Sequence, residues 1–192
     1  MSPKNRPEAK GGWIEVITGC MFSGKTSELL ERVKRAELSG HETKLYKPTV
    51  DDRYGEMEVG SHNGETRKAK VVEEVSEINP ESYVVGIDEA NFFSSELVRK
   101  AEELADDGHR VIISGLDSNF RAEPFEPVPG LMAKAEFVDK LNAVCVECGS
   151  TANRTQRVVD GKPAHVDDPT VVVGADEKYE ARCRSCFELR TD

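Results

Sequence analysis

No run of apolar residues approaches the roughly 18 that a membrane-crossing helix requires, so no transmembrane segment is expected in the 192 residues. Met1 to Lys10 holds two prolines and no apolar core. It does not read as a secretory signal, and a loose N-terminal arm over residues 1–12 is expected instead. Basic charge is also short, with a formal net charge of −10. Neutralising nucleic-acid phosphates needs a basic face, so a protein whose main task is coating nucleic acid is not expected, although a local basic patch stays open. Such an acidic surface suits solubility in salt. No internal repeat or low-complexity tract stands out. His41, His62, His109 and His165 lack ligand-like spacing and are assigned no chemistry.

Hydrophobic residues make up 38% and charged residues 32% of the chain, which suits one soluble globular domain with a small appendage rather than a disordered chain. The five cysteines are an odd count: four form the C-x-x-C pairs Cys145/Cys148 and Cys183/Cys186, and Cys20 is left over. Metal binding is favoured over disulfides, and with it a reducing, cytoplasmic compartment.

Gly19, Cys20, Met21, Phe22, Ser23, Gly24, Lys25 and Thr26 fit the phosphate-loop pattern G-x-x-x-x-G-K-[ST] at every fixed position. Glycines let the backbone turn several N–H groups toward one anion. The lysine ammonium reaches the outer phosphates, the threonine hydroxyl suits Mg²⁺, and the following helix aims its positive end at the phosphates. The context agrees. Trp13 to Thr18 reads as a strand, and Leu29, Leu30, Val33 and Ala36 recur at helical spacing over Ser27 to Leu38.

Farther along, Thr43–Lys47, Val71–Val72, Tyr83–Asp88 and Arg110–Ser114 read as strands, and Phe137 to Val144 as a further one. A helix capped by Ser94 or Ser95 is expected to run to about Ala105, and a short one spans Leu131 to Lys134. Thr49 to Lys70 reads as a long loop in which Asn63-Gly64 suits a hairpin. Strands alternating with helices predict an α/β fold with a helix-covered parallel sheet over residues 13–144, followed by a small metal-bound lobe at 145–192.

Asp88 ends an apolar strand, where phosphoryl-transfer folds place an acid for Mg²⁺. Glu89 beside it is suited to take a proton from an attacking hydroxyl or water. The bland alternative is that the pair caps the next helix. The four paired cysteines would give a tetrahedral S₄ site suited to structural Zn²⁺. Gly149 to Arg182, 34 residues, lie between the pairs, longer than the usual ribbon spacing of about 15–20. Taken singly, Arg53 and Arg121 read as solvated arginines before phosphate ligands. Phe92, Phe93, Phe120, Phe125 and Tyr179 read as core before base-stacking platforms.

Taken together, the phosphate loop with its Met-Phe-Ser insert, Ile87 to Phe93, Gly115 to Phe120 with Pro124-Phe125, both cysteine pairs and Gly174 to Tyr179 resemble a type II thymidine kinase from about Trp13 to Cys186. The resemblance implies a RecA-like α/β domain and a zinc-containing C-terminal domain with a lasso over the nucleoside. It implies transfer of the γ-phosphate of ATP to the 5′-hydroxyl of thymidine in nucleotide salvage for DNA synthesis. By position, Glu89 would be the general base and Asp88 the Mg²⁺ acid, with Lys25 and Thr26 serving phosphates and metal. Arg53 would lie near the reacting oxygen. Met21, Leu116, Phe120, Phe125, Thr155 and Tyr179 would line the thymine pocket. A homotetramer inhibited by thymidine triphosphate is implied as well. The family commonly has Gly-Gln after Asp-Glu; here the pair is Ala90-Asn91, whose shorter amide alters the contacts nearby. The rival reading from another class is a nucleic-acid-associated ATPase with a zinc ribbon, against which the acidic chain weighs.

Overall fold

The computed structural model describes residues 11–50, 58–60, 66–170 and 178–191. The early strands are β1 (Trp13–Gly19), β2 (Thr43–Pro48), β3 (Glu58–Gly60), β4 (Thr66–Lys68), β5 (Lys70–Val72), β6 (Val84–Ile87), β7 (Arg110–Gly115) and β8 (Phe137–Leu141). Six of them form one sheet in the order β5-β2-β6-β7-β1-β8, with every pairing parallel. The helices are α1 (Lys25–Leu38), α2 (Glu96–Asp106) and α3 (Val128–Lys134).

Both faces of the sheet are covered, so its central strands are apolar almost throughout: every residue of β1 and β6 is buried. The side-chain period of two divides each strand between two cores. Ile17, Leu45, Val84 and Ile112 meet Leu29, Leu30, Val33 and Ala36 of α1 on one face. Ile14, Val16, Ile87, Val111 and Ile113 meet Leu97, Ala101 and Leu104 of α2 and Leu131 of α3 on the other. Gly86 of β6 is required by this packing, because a Cβ there would stand 2.4 Å from Leu45 Cδ2 and 3.4 Å from Leu29 Cδ1. Ser95 occupies the cap position of α2 without a side-chain cap bond.

Within the stretch expected as a long loop, β3 and β4 pair antiparallel. The Asn63-Gly64 turn that would join them lies outside the described residues. The run expected as one strand from Phe137 to Val144 divides at Asn142: β8 joins the sheet edge, while β9 (Ala143–Val144) pairs with β10 (Thr151–Ala152). Beyond lie β11 (Arg154–Val159), β12 (Lys162–Pro163) and β13 (Lys178–Arg182), with β11 antiparallel to both neighbours. Among the described residues no helix is long and apolar enough to cross a membrane.

The order places β7 between β1 and β6. The carboxyl ends of these parallel strands therefore open on one edge, which is where α/β sheets bind ligands. β1 delivers the phosphate loop there, β6 delivers Asp88 and Glu89, and β7 delivers Leu116 and the loop that follows it.

Candidate active site

The phosphate loop turns sharply where β1 ends. Gly19 has φ +142°, and a Cβ on it would stand 2.3 Å from the Leu141 carbonyl oxygen. Ser23 Oγ and Lys25 Nζ both donate to the Cys20 carbonyl, at 2.8 and 2.9 Å. Phe22 has φ 65° and is half exposed. Gly24, also left-handed at φ 86°, starts α1, whose first turn carries Lys25 and Thr26. The Cys20 thiol is buried, which pushes its pKa up, and it donates to the Ala152 carbonyl at 3.4 Å.

Thr26 Oγ1 donates to the Asp88 carboxylate, 3.0 Å from Oδ2 and 3.3 Å from Oδ1. Ser114 Oγ donates to Oδ1 of the same group. The register that sets Ile87 beside Ile113 carries on to bring Asp88 and Ser114 together. Burial, and then the charge of Glu89, push the Asp88 pKa up to about 6; the Ser114 and Thr26 hydrogen bonds oppose the rise. A buried carboxylate beside a threonine hydroxyl offers oxygen donors that could hold a divalent cation. Glu89 follows in the left-handed region at φ 50°, 9% exposed. Non-glycine residues held there tend to sit at functional sites.

The residues expected to line a nucleoside pocket fall on the phosphate loop, the loop after β7, β11 and β13. Asn91 Oδ1 accepts the Leu116 N–H at 3.0 Å, tying the turn after Glu89 to the loop after β7. Phe120 is buried, Phe125 partly so. Thr155 Oγ1 accepts the Met21 N–H at 3.1 Å. Tyr179 on β13 pairs with Arg157 on β11. Arg53 lies outside the described residues, as does the 171–177 part of the segment between the cysteine pairs. Phe93 is buried in the main core. Arg121 is engaged with backbone carbonyls of the Val166–Thr170 stretch rather than turned to phosphate.

The four paired cysteines converge: their Sγ atoms all lie within 4.8 Å of one another. The Cys148 and Cys183 sulfurs are 3.6 Å apart, close to the ~3.8 Å edge of a sulfur tetrahedron built on metal–sulfur bonds of about 2.3 Å. The cluster can hold a metal ion. Cys145 and Cys183 pack with Cys20, Ala152 and Ala181 in a small core of their own, against the phosphate loop.

Ser114 and Arg157 were not singled out by sequence, and Asn91 was noted only as a departure from the family's pair. Ser114 was findable, since it closes an apolar strand that neighbours the Asp88 strand. Arg157 carries no such signal.

A family model described as thymidine kinase matches residues 12–187. A thymidine kinase of Halobacterium salinarum is 57% identical over 189 residues, covering 94% of this chain and 96% of that protein. One from Haloquadratum walsbyi is 51% identical over 222 residues, covering 96% and 99%. Among solved structures, the Legionella pneumophila ATPase DotB aligns with a TM-score of 0.40 at 16% identity, over 72% of this chain and 43% of that one, too slight a likeness to bear on fold or activity. The family match spans nearly all of the described sheet, both cysteine pairs and the phosphate loop, and the chain belongs to the thymidine kinase family.

Proposed function

We propose that the chain transfers the γ-phosphate of ATP to the 5′-hydroxyl of thymidine, giving thymidine monophosphate and ADP. The observation that carries this reading is the pairing at the end of β6. Asp88 is bonded to the phosphate-loop Thr26, and Glu89 is the next residue, in a left-handed turn at the same sheet edge. We assign the first carboxylate to the phosphate side and the second to the acceptor hydroxyl.

The roles follow from that division. The amides of Gly19 to Thr26 and the Lys25 ammonium bind and orient the phosphates. Thr26 and Asp88 would hold Mg²⁺, which when bound neutralises phosphate charge. Glu89 takes the proton of the 5′-hydroxyl as the oxygen attacks phosphorus. Arg53 stabilises charge near that oxygen. Met21, Leu116, Phe120, Phe125, Thr155 and Tyr179 hold the thymine, with the segment between the cysteine pairs lying over the nucleoside and excluding water. Four thiolates at the spacing described suit Zn²⁺, and a closed S₄ site has no open position, so its role is structural. Thymidine triphosphate carries both the base for the pocket and the phosphates for the loop, which makes it the expected inhibitor. A homotetramer in the cytoplasm completes the reading, supported by the family resemblance.

The test is ADP release from ATP and Mg²⁺ with each deoxynucleoside in turn, and with single-stranded DNA as a separate additive. Turnover with thymidine, yielding the 5′-monophosphate, is the expected result. Hydrolysis driven by DNA with no nucleoside phosphorylated would replace this reading with a zinc-ribbon ATPase.

A further inference from the structure

Directly after Phe120, Arg121 directs its whole guanidinium at one short stretch of chain. Nε donates to the Val166 carbonyl at 2.5 Å, Nη1 to Thr170 Oγ1 at 2.7 Å, and Nη2 to the Asp168 carbonyl. From β11, Arg157 Nη1 donates to the Pro169 carbonyl at 2.6 Å. Both guanidiniums also lie on the Phe120 ring, with their central carbons 4.5 Å (Arg121) and 5.3 Å (Arg157) from its centroid. Phe120 and Arg157 are only 3% and 4% exposed. Arginine's planar fork is the side chain suited to several fixed acceptors and an aromatic face at once; lysine cannot reproduce that set.

We infer that Arg121 and Arg157 form a clamp that fixes the Val166–Thr170 stretch against Phe120, making Arg121 a positioning residue for thymidine. The inference rests on reading Phe120 as part of the nucleoside pocket. Among the described residues the stretch has little else to hold it on this side. Its other bonds among the described residues run to its own turn (Asp168 N–H to the His165 carbonyl, 3.1 Å; His165 N–H to Asp168 Oδ2, 2.9 Å; Asp167 N–H to His165 Nδ1, 3.2 Å) and to the far C-terminal end (Val166 N–H to the Arg190 carbonyl, 2.8 Å). Arg121 is thus what ties it to the β7 loop that also carries Leu116. Loss of the fork would free the Phe120 ring and the Val166–Thr170 backbone together, while the phosphate loop and Asp88, held by separate bonds, stay in place.

The experiment compares wild type, Arg121→Gln and Arg121→Lys in steady-state kinetics, with amide hydrogen exchange read at Val166 and Asp168. For Arg121→Gln the expected result is a thymidine KM raised about tenfold, equivalent to one lost charge-assisted interaction. The KM for ATP stays within about twofold, kcat changes little, and exchange is faster at Val166 and Asp168 but not in β1 or β7. Arg121→Lys should keep the raised KM, because charge alone does not restore the fork. Equal losses for ATP and thymidine, an unchanged thymidine KM, or unchanged exchange would each overturn the clamp. If wild type itself does not phosphorylate thymidine, the functional reading fails separately, and exchange at Val166 and Asp168 still decides whether the clamp exists.

Discussion

Thr155 on β11 accepts the backbone N–H of Met21 in the phosphate loop. The ATP-binding loop is therefore held partly from the side of the chain that bears the cysteine cluster, and Cys20 packs against Cys145 and Cys183 in the same direction. Thr155→Val keeps the shape but leaves a buried N–H unpaired, which costs about 1–3 kcal/mol. We expect it to raise the KM for ATP as well as that for thymidine, by about tenfold. Stripping metal from the cysteine cluster with a chelator should act in the same direction and lower the melting temperature. An ATP KM that stays put after complete metal removal would mean that the loop is not supported from this side.

Glu89→Gln keeps the size and the turn of the side chain but removes its capacity to accept a proton. The expected outcome is a kcat reduced about 10²–10⁴-fold, with ATP affinity measured by calorimetry changed by less than about twofold. Retained turnover would take Glu89 out of the base role.

The Asp88 carboxylate is fully buried, and when it is charged with no cation beside it that burial destabilises the fold. Its folded pKa, pushed up to about 6 by burial and by Glu89, lies above its ordinary value of 3.8. The unfolded chain thus gives up this proton first, and the metal-free protein loses stability as pH rises from about 4 to about 6, with no further loss from this group above that. Asp88→Asn removes the charge. We expect it to abolish transfer while raising the metal-free melting temperature at pH 7.5, by about 2–4 °C for each kcal/mol relieved. The gain should vanish near pH 4. A variant that melts lower than wild type at pH 7.5 would show that the Thr26 and Ser114 hydrogen bonds outweigh the buried charge.

Much of this was legible in the chain because the signals were local. A phosphate loop is one contiguous motif between a β-branched strand and an amphipathic helix. Asp88 ends an apolar run, and each cysteine pair spans four residues. What the sequence hid was register. Asn91 reaching Leu116, Thr155 reaching Met21 and Arg121 reaching Val166 are contacts between distant segments, which no local pattern reports. Phe93 was read as core before a stacking platform, and it is core. The antiparallel β3–β4 pair flanks the Asn63-Gly64 position that suited a hairpin, while its strands were too polar to show alternation.

Glu15 shows the same limit, and it yields the sharpest stability prediction. It interrupts the apolar run of β1 on the side facing α1, where Arg32 lies on the buried face of that helix. Arg32 Nη1 donates to Glu15 Oε2 at 2.8 Å and Nη2 to Asp139 at 2.7 Å, while Arg110 Nε donates to Glu15 Oε1 at 2.7 Å. The Trp13 indole N–H adds a bond at 2.8 Å. Strands β1, β7 and β8 are thereby fastened to the helix that begins at the phosphate loop. Burial acts to raise the Glu15 pKa, but the Arg110 bond and charge, Trp13 and Arg32 together hold it below its ordinary 4.5. The stabilisation it supplies is thus fully present above about 4.5 and is lost as pH falls through the lower folded value. Glu15→Ala leaves Arg32 buried with one carboxylate fewer, and removing one partner of a buried pair costs about 3–5 kcal/mol. Urea unfolding should show that deficit at pH 7, and a smaller one at pH 3, where wild type has itself begun to lose the contribution. A deficit of equal size at both values would mean that Glu15 acts through packing and not through charge.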